Sequence, residues 1–564
     1  MNNRPGLGRS SRARLALGVA TVLAVAAPLS ISGVAAAAEP AVPAVSTAST
    51  GGGTAAQWTT RTVAPGVEVR TGTLRNPAAT PGWTVTVQAA VTSRFGTPAW
   101  AVVGTEPWAS ATVSQLRAAG FEPDTTRVPW PDYADTPRGL MGVRIRVGSY
   151  PTQDAAKSTA SQVTAAGFRT VVEWTGYDAD QPADVENIQV AVIDPRRFTG
   201  SVKATHDGNV AQRETTSSVA AKLGSLVGVN GGFFLTSDAD GVQGVQAGIG
   251  AYNGELASMA VGSRAALILG DGGRHNRIAD LTTTVTASAD LTTTVTASAD
   301  LTTTVTASAG RFDRAVRGIN RTPGLARNCG LPGGIPTAEP RHDTTCTLTD
   351  DLVTFTAEYA HDLPAGPGVQ AVLDSKDRVV SVGVRGGVVA PGHTVLQGVG
   401  AAADWLTAHA VAGKKVSVTE VVRDADGRRV RLGANDSVIS AAPTLVENGR
   451  IRIDAATEGV VDPADLSFGY AWANNRQPRT MAGIDRRGRL LLVTVDGRLS
   501  GGSEGFTIAE GAAFMRSLGA EQALNLDGGG STAMAVNGVL VNRPSDATGE
   551  RAVGDTIQVL PRTR

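Results

Sequence analysis

Glycine marks the ends of short apolar runs throughout this sequence, and it constrains the fold more than any other feature. The chain has 67 glycines among 564 residues, and they do not follow the three-residue period of collagen. Glycine is instead favoured where the backbone turns sharply or where two segments pass closely. Hydrophobic residues make up 42% of the chain, which is enough for packed cores. We therefore expect tightly turned β structure, and the length indicates about two to four domains.

The first 38 residues have the pattern of a secretory signal peptide. Four arginines precede an apolar run over residues 15–34, and Ala36-x-Ala38 resembles a cleavage site. A membrane anchor is the alternative, but the run is rich in alanine and is interrupted by Pro28. We expect cleavage after residue 38 and secretion to the extracellular space, where the protein either stays free or associates with the cell wall. After cleavage we expect no stable membrane span.

Removal of this segment leaves a mildly acidic protein. The full chain has 51 basic and 51 acidic residues, and residues 1–38 contain four arginines and no acid, which leaves 47 basic against 51 acidic groups. Such a balance creates no strong positive field. We therefore expect no nucleic-acid partner.

Two segments precede the main region of the chain. Residues 39–80 are rich in Ala, Pro, Thr, Ser and Gly, and they predict a linker with a strand near residues 67–74. Residues 81–180 predict a small βαββαβ domain, because a helical pattern at 110–121 is repeated at 158–168 and is followed each time by a strand.

This small domain resembles the SPOR family. The resemblance is carried by the run over residues 142–150, by Ala155-Ala156 in the predicted helix and by Ala165-Ala166-Gly167-Phe168. It implies binding to peptidoglycan. A spacer domain without a ligand is the alternative. The strand that starts at Trp83 is not followed by the Gly-Ser/Ala-Phe/Tyr sequence that follows the corresponding strand in the family.

Residues 185–564 predict one large catalytic domain. Leu490–Val495 and residues 523–526 have the apolar composition of buried strands, and residues 508–518 have apolar positions at helical spacing with Gly519 as a cap. Because this helix connects two predicted strands, we expect an α+β or mixed α/β fold. The catalytic domain is expected to be β-rich with helical insertions, preceded by the small βαββαβ domain.

A decapeptide is repeated three times over residues 281–310. The copies are identical except for Gly310, and each is rich in threonine and valine, as strands are. Because the period is even, every copy would present the same face. We favour slippage expansion of a single strand over a ladder of three strands.

Cysteine occurs at two positions, Cys329 and Cys346. In an exported chain such a pair predicts one disulfide bond. Two free thiols are the alternative.

Two glycine clusters follow predicted strands and carry polar groups. Asn230 and Gly231 leave an apolar run, and the glycines there bring backbone N–H groups to a surface. Asn525 and Asp527 lead into the second cluster, Gly528 to Thr532, where three glycines precede two hydroxyls. Such a loop can hold an oxyanion beside an acid, whereas a tight turn is the alternative. No lysine follows the glycines, which excludes a nucleotide P-loop.

Further polar residues flank two predicted strands. Arg479 and Thr480 begin a stretch that ends at Asp485, and Asp496 follows the next strand. The guanidinium fork of arginine suits a phosphate, although a surface ion pair is the alternative for Arg479 and a turn is the alternative for Asp496. The six histidines are scattered, and no zinc or dinucleotide signature occurs. The remaining carboxylates, amides and hydroxyls suit the cleavage of a glycosidic bond.

Taken together, these stretches resemble the phosphodiester glycosidase family. Motifs at residues 230–234, 479–485, 495–498, 503–518 and 525–538 occur in the family's order. The resemblance covers residues 185–564 and is densest after Arg479. At Met481 to Gly483 the sequence differs from the family's usual Ala-Val-Gly by a conservative change. It implies hydrolysis of a sugar-1-phosphodiester at the anomeric carbon, with release of sugar and a phosphomonoester.

The resemblance also implies roles for individual residues. Asp527 and Asp485 are expected to be the catalytic carboxylates, with Asp496 and Glu510 as second choices. Arg479 and the amides of the glycine loop would bind the phosphate. The residues expected to contact substrate are Asn230, Gly231, Arg479, Thr480, Asn525, Gly528, Gly529, Gly530, Ser531 and Thr532. No cofactor is required for this chemistry, and a divalent metal is left open.

The expected substrate and partner is a phosphodiester-linked glycan, in the cell wall or another extracellular material. Two other functions remain. One is a non-catalytic protein that binds cell-wall glycan through the same loops. The other is a phosphodiesterase that cuts the P–O bond, although an obvious set of ligands for two metal ions is missing from the sequence.

Overall fold

The computed structural model describes residues 55–93, 98–261, 264–293, 308–327 and 345–562. The predicted signal peptide lies outside the described residues. All the described residues belong to one compact unit. Within the described ranges, no helix is long and apolar enough to cross a membrane.

Strands dominate the described part of the chain. In the N-terminal half they are β1 (Ala55–Ala64), β2 (Val67–Arg75), β3 (Trp83–Val87), β4 (Ala89–Thr92), β5 (Pro98–Ala101), β6 (Pro123–Pro129), β7 (Leu140–Tyr150), β8 (Thr170–Trp174), β9 (Val185–Ile193), β10 (Ser201–Thr205), β11 (Val227–Asn230), β12 (Gly250–Tyr252), β13 (Glu255–Ser258), β14 (Ala265–Gly270) and β15 (His275–Thr293). The remaining strands are β16 (Ser308–Val316), β17 (Gly318–Ile319), β18 (Leu325–Arg327), β19 (Thr345–Thr347), β20 (Asp351–Phe355), β21 (Gly366–Leu373), β22 (Val379–Arg385), β23 (Thr394–Val399), β24 (Val416–Asp424), β25 (Arg429–Val430), β26 (Ser437–Ser440), β27 (Thr444–Glu447), β28 (Arg450–Ile451), β29 (Arg479–Asp485), β30 (Leu490–Val495), β31 (Ala520–Asn525), β32 (Met534–Val536), β33 (Val539–Leu540) and β34 (Thr556–Leu560).

Helices are few and short. In the described residues they are α1 (Glu106–Ala118), α2 (Gln153–Ala165), α3 (Thr216–Leu223), α4 (Ala401–His409), α5 (Tyr470–Ala473) and α6 (Ile508–Ser517). The predicted helix at residues 508–518 is confirmed as α6. It begins with a capping box in which the Thr507 side chain accepts from the Glu510 N–H and the Glu510 side chain accepts from the Thr507 N–H.

An eight-stranded sheet, the central sheet, positions the site. Its order is β1-β2-β9-β30-β29-β31-β27-β28, and every neighbouring pair is antiparallel. All residues of β29 and β30 are buried because α6 covers one face of the sheet and other strands cover the opposite face. Burial on both faces explains the continuous apolar run of β30.

Strands β1 and β2 form one edge of the central sheet. They pair with each other, and β2 pairs with β9 from Val67↔Ile193 to Arg75↔Val185. Two paired strands therefore lie within residues 39–80, the segment whose composition predicts a linker.

The second sheet packs against the central sheet and carries Asn230. It has the order β10-β34-β11-β32-β33. Side chains of β11, β32 and β34 pack with those of β9, β29 and β30 in one large hydrophobic cluster, which includes Val229, Met534 and Ile557 from the second sheet. This packing brings the C-terminal end of β11 to the edge of the central sheet.

The first copy of the decapeptide is a core strand. Over this copy β15 pairs with β24, and the side chains of Leu281, Val285, Ala287 and Ala289 are buried. β15 continues into the second copy as far as Thr293 and pairs with β16, which contains the end of the third copy. Residues 294–307 between them lie outside the described residues.

A four-stranded antiparallel sheet lies within residues 81–180. Its order is β6-β7-β3-β8, and α1 and α2 pack on it around Leu116, Ile145 and Val163. Residues 104–121 and 152–168 each contain a helix whose first turn is capped by a threonine, Thr105 or Thr152.

The predicted fold class is wrong. The chain is β-rich throughout its described residues, and an α+β or mixed α/β class with a separate small βαββαβ domain does not describe it. One compact unit contains all the described residues, and the sheet that α6 crosses is wholly antiparallel. The helix at 508–518 suggested parallel strands, but β30 and β31 are separated by β29, which runs in the opposite direction to both.

Candidate active site

Three neighbouring strands bring candidate residues to one edge of the central sheet. β30 and β31 both run antiparallel to β29, so both end where β29 begins. Asp496 follows the end of β30, Asp527 lies just beyond the end of β31, and Arg479 is the first residue of β29. Two strand spacings separate β30 from β31, which is about 9–10 Å. The two aspartates therefore leave the sheet on either side of Arg479.

Asn230 ties the second sheet to this edge. Its side-chain amide donates to the Asp527 carbonyl at 2.8 Å, while Oδ1 accepts from Thr480 Oγ1 at 2.6 Å and from the Ala533 N–H at 3.1 Å. The Asp527 N–H also donates to the Gly231 carbonyl at 3.0 Å. The structure thus brings Asn230, Gly231 and Thr480 next to Asp527, and their contact with substrate stays a prediction. The three side-chain hydrogen bonds of Asn230 hold the loop in place.

The glycine loop is tightly enclosed. A Cβ atom on Gly529 would lie 3.2 Å from Arg498 Nη2, and one on Gly530 would lie 2.2 Å from Arg551 Nη2 and 2.3 Å from Asp546 Oδ1. Only glycine allows this approach of backbone to guanidinium. The loop therefore lies between two arginines.

The two hydroxyls that end the loop are buried. Ser531 is 1% exposed and Thr532 is 2% exposed, and neither Ser531 Oγ nor Thr532 Oγ1 has a hydrogen-bond partner among the described residues. Buried polar atoms are normally paired in the folded state. These two atoms are therefore candidates to bind a polar ligand.

Arg498 and Arg551 were not singled out from the sequence. Arg551 forms a bidentate pair with Asp546, at 2.8 and 3.0 Å. Within the described ranges no carboxylate pairs with Arg498, whose Nε donates to Gln477 Oε1. The motif Val495-Asp-Gly-Arg498 contained a signal for Arg498, whereas nothing in the sequence distinguished Arg551.

Asp496 is a buried carboxylate with a perturbed pKa. It is 4% exposed, and its Oδ1 accepts from the Arg543 N–H at 3.0 Å. Burial raises its pKa to about 6, against hydrogen bonds from Arg543 and Asn542 that lower it. A carboxyl with this pKa can hold a proton near neutral pH, as a general acid must.

Asp527 differs from Asp496 in its surroundings. It is partly exposed, and its Oδ1 accepts from the Gly528 N–H at 3.0 Å. One edge of the sheet thus holds one carboxyl shielded from water and one open to it, which is the pairing that acid–base hydrolysis uses.

Arg479 is buried behind the glycine loop. It is 1% exposed, and its Nε donates to the Phe506 carbonyl at 2.8 Å while Nη2 donates to the carbonyls of Trp472 and Asn475. Burial lowers its pKa to about 9. Nη1 has no hydrogen-bond partner in the described residues. Most of the predicted phosphate clamp is therefore committed to backbone carbonyls.

Asn525 joins the end of β31 to the segment between β26 and β27. Its Nδ2 donates to the Ala442 carbonyl at 2.9 Å, and its N–H donates to the Pro443 carbonyl at 2.9 Å. Its Oδ1 is buried without a partner among the described residues.

Two other predicted catalytic carboxylates have structural partners. Asp485 is at the opposite end of β29, six residues from Arg479, which corresponds to about 20 Å along a strand. Its carboxylate pairs with Arg489 Nε at 2.6 Å and accepts two backbone N–H groups of the hairpin turn. Turn formation therefore accounts for the Asp485 carboxylate, and its catalytic role stays a prediction to which this geometry gives no support.

Glu510 also has a structural explanation. It completes the capping box of α6, and it pairs with Arg476, with Nη2 at 2.6 Å from Oε1. Both tasks use its carboxylate oxygens, so the structure gives no support to Glu510 as a catalytic group.

The metal and disulfide expectations concern other parts of the chain. Cys346 is buried, but Cys329 lies outside the described residues, and their pairing stays a prediction. A search of the described residues finds no group of three or more His, Cys, Asp or Glu side chains that could hold a metal ion.

Comparison with known proteins agrees with this geometry. Residues 368–560 match the family model of phosphodiester glycosidases, which confirms the family resemblance for this region. That region contains β29, β30, β31, the glycine loop and both arginines that enclose it. The resemblance of residues 81–180 to SPOR domains finds no support in the comparisons.

Two mammalian enzymes match part of the chain. The N-acetylglucosamine-1-phosphodiester alpha-N-acetylglucosaminidase of Mus musculus is 34% identical over 110 residues, which is 19% of this chain and 21% of the mouse protein. The Homo sapiens enzyme of the same name is 33% identical over 110 residues, which is 19% of this chain and 21% of the human protein. The chain thus matches about a fifth of the length of these enzymes.

A solved structure covers more of the chain. A Burkholderia pseudomallei protein designated as exported superposes with a TM-score of 0.76 at 29% identity, covering 93% of this chain and 99% of that one. The two proteins therefore share a fold over nearly the whole length of this chain, including the small sheet.

Proposed function

We propose that this protein hydrolyses the glycosidic bond of a sugar-1-phosphodiester and releases sugar and a phosphomonoester. The observation that carries the proposal is the edge of the central sheet, where Asp496 and Asp527 lie on either side of Arg479 and the glycine loop that follows Asp527 is enclosed by Arg498 and Arg551. This edge lies within the residues that match the phosphodiester glycosidase model. A site with two carboxyls and a cationic phosphate-binding loop has what such a reaction requires.

The reaction breaks one bond and forms another. A water oxygen attacks the anomeric carbon, the bond between that carbon and the phosphate ester oxygen breaks, and its electron pair leaves with the phosphate. The proton from water passes to a carboxylate. Because a phosphomonoester is already a good leaving group, anion binding contributes more than proton donation to the leaving oxygen.

The surroundings of the two carboxyls suggest their roles. Asp527 is partly exposed and is suited to accept the proton of the attacking water, or to attack the anomeric carbon itself. Asp496, with a pKa raised by burial to about 6, is suited to donate a proton to the leaving oxygen below that pH.

The cations and hydroxyls suit the phosphate. Arg498 lacks a carboxylate partner among the described residues and lies against Gly529, so its Nη groups can donate to phosphate oxygens. The unpaired hydroxyls of Ser531 and Thr532 add donors at the end of the same loop. The backbone of this loop brings further N–H groups, as anion-binding loops do.

The setting of the reaction belongs to the same proposal. We place the substrate in a phosphodiester-linked glycan of the cell wall or another extracellular material, reached by export through the predicted signal peptide. Attachment to peptidoglycan through residues 81–180 remains a hypothesis that binding of that region to purified wall would test.

Product analysis in ¹⁸O-labelled water tests the proposal. With a synthetic N-acetylglucosamine-1-phosphodiester, we expect the label in the sugar and none in the phosphomonoester. Label in the phosphate would show P–O cleavage and a phosphodiesterase instead. Binding without any product would favour a non-catalytic glycan-binding protein.

The Asp527→Asn variant assigns the reaction to this site. We expect turnover to fall by at least about a hundredfold, the lower range for loss of a general base, with folding retained. Glu521→Gln is a matched control, because Glu521 lies on the same strand and pairs with Arg486 at the exposed opposite end. Wild-type turnover in Asp527→Asn would remove Asp527 from the mechanism.

A further inference from the structure

One peptide group in the turn after β11 connects Asp527 to another buried carboxylate. This group consists of the Gly231 carbonyl and the Gly232 N–H. Its carbonyl accepts from the Asp527 N–H at 3.0 Å, and its N–H donates to Asp555 Oδ1 at 2.9 Å. The peptide bond is planar and trans, so its carbonyl and its N–H point in opposite directions. Asp527 and Asp555 therefore bind opposite sides of one rigid unit.

Asp555 holds the turn through its backbone as well. It directly precedes β34 and is 2% exposed, and its carbonyl accepts from the Gly231 N–H at 3.0 Å. A Cβ atom on Gly231 would lie 2.2 Å from Asp555 Oδ1. Because any side chain at residue 231 would displace the carboxylate, glycine is required for this contact.

Tyr252 of β12 holds the other oxygen of the Asp555 carboxylate. Its hydroxyl donates to Oδ2 at 2.6 Å. Burial and the neighbouring Asp555 raise the pKa of this hydroxyl well above its ordinary value, so it stays protonated and keeps donating. The ring of His206 packs edge-on against the ring of Tyr252, with 4.4 Å between the two centroids. Both oxygens of Asp555 therefore have a fixed partner.

The backbone of Asp527 is held on both sides by this arrangement. Asn230 Nδ2 donates to its carbonyl at 2.8 Å, and the peptide group between Gly231 and Gly232 accepts its N–H. The Asn230 contact is made from the strand itself, whereas the peptide group lies in the turn, where Asp555 binds it. The position of the Asp527 backbone thus depends on Asp555.

We propose that Asp555 is a positioning residue, which holds Asp527 in place for reaction through the peptide group between Gly231 and Gly232. This inference rests on the proposed function, in which the Asp527 carboxylate acts at the anomeric carbon. Because a small displacement of a reacting group lowers the rate strongly, loss of Asp555 should affect the chemical step more than substrate binding.

The Asp555→Ala variant of the full chain tests this role. It removes the acceptor of the Gly232 N–H, so we expect kcat for the phosphodiester to fall at least about tenfold and KM to stay within about twofold of wild type. Asp351→Ala is the matched control. Asp351 is a buried carboxylate that also accepts from a glycine N–H, that of Gly324 at 2.8 Å, but it lies in a different sheet.

The control should lower the melting temperature and leave kcat unchanged, because its site is separate from Asp527. Unchanged kcat in Asp555→Ala, or an equal fall of kcat in both variants, would overturn the inference. Thermal denaturation of each variant provides the comparison of stability.

Two milder variants separate positioning from a general loss of folding. Asp555→Asn keeps an Oδ1 that can accept from the Gly232 N–H, and the Tyr252 hydroxyl can rotate to accept from the new Nδ2, so kcat should stay within about threefold of wild type. A fall as large as that in Asp555→Ala would overturn the inference. Tyr252→Phe frees Asp555 Oδ2 and should lower kcat about threefold. If Asp555→Ala does not fold, unchanged kcat in Tyr252→Phe would overturn it.

A double-mutant cycle shows whether the effect passes through Asp527. In an Asp527→Asn background, Asp555→Ala should have no further effect on kcat. A further fall as large as that in the wild-type background would overturn the inference.

Hydrogen–deuterium exchange at single amides separates this inference from the proposed function. If the wild type releases no sugar, the proposed function fails, and exchange then tests the positioning by itself. The Asp527 N–H, which the Gly231 carbonyl protects, should exchange at least about tenfold faster in Asp555→Ala and at the wild-type rate in Asp351→Ala. Equal exchange in Asp555→Ala and the wild type would overturn the positioning role.

Discussion

The Asp496→Asn substitution should make the protein more stable and less active, and the gain in stability should depend on pH. Asp496 is buried, and its pKa is raised from 3.8 to about 6. A carboxyl that titrates at a higher pH in the folded state than in the unfolded state stabilises the fold below the unfolded pKa. That contribution is lost as pH rises through about 6.

The magnitude follows from the size of the shift. Each pKa unit corresponds to about 1.4 kcal/mol, so ionised Asp496 costs the fold about 3 kcal/mol above pH 6. Asparagine is neutral and its Oδ1 can still accept from the Arg543 N–H. We therefore expect Asp496→Asn to match the wild type near pH 3.8 and to exceed its free energy of unfolding by about 2–3 kcal/mol above pH 6.

Urea denaturation followed by tryptophan fluorescence, across about pH 4 to 8, measures this difference. Asp485→Asn is the matched control, because Asp485 is buried in an ion pair with Arg489 and its loss should destabilise the protein instead. Turnover by Asp496→Asn should fall below about pH 6, where Asp496 is protonated and can donate to the leaving oxygen, and should approach that of the wild type above it. A stability difference that is constant with pH, or a variant less stable than wild type above pH 6, would refute the reasoning.

Three shorter predictions concern the loop, the scaffold and the repeat. Gly530→Ala should reduce turnover at least about tenfold, because the added Cβ would displace the Arg551–Asp546 pair. Gly383→Ala is the control, because a Cβ at Gly383 lies in open space and should not change turnover. Equal activity of the two variants would refute a role for the enclosed loop. Asn230→Ala should lower the free energy of unfolding by about 2–4 kcal/mol in urea denaturation, since it removes three hydrogen bonds at a buried position; a change below about 1 kcal/mol would contradict the scaffold role. Deletion of residues 281–300 should leave the circular dichroism spectrum and turnover unchanged. The remaining copy of the decapeptide can supply the apolar face of β15 and close a shorter hairpin with β16. An insoluble product would show that the repeat is needed.

Several features could be predicted because they depend on local sequence. The capping box and apolar spacing specify α6, and the apolar run Leu490–Val495 specifies a buried strand, whatever surrounds them. The glycine loop was also recognisable, because three glycines after an aspartate have few other uses. The pairing of the strands into a wholly antiparallel central sheet was not predicted. A helix between two strands in the sequence does not reveal that a third strand separates them in the sheet.

Candidate residues divide in the same way. Sequence chemistry alone could not separate Asp485 from Asp527, since each follows or ends an apolar strand beside a glycine. The pairing register places Asp485 at the far end of β29 and Asp496 at the near end of β30, which reverses their expected importance. Arg551 was missed because no local pattern marks a residue whose role comes from its neighbours in space.

The sequence by itself determined which groups this protein can use: a glycine loop after Asp527, two hydroxyls, several carboxylates and arginines, and the order of motifs shared with the phosphodiester glycosidases. Tertiary structure alone decided which of them meet. Antiparallel pairing around β29 collects Asp496, Asp527 and Arg479 at one edge, and packing of the second sheet adds Asn230. Burial, which only the packed chain creates, raises the pKa of Asp496 and leaves Arg498 to face the loop, because charge and solvation depend on the whole surroundings of a group.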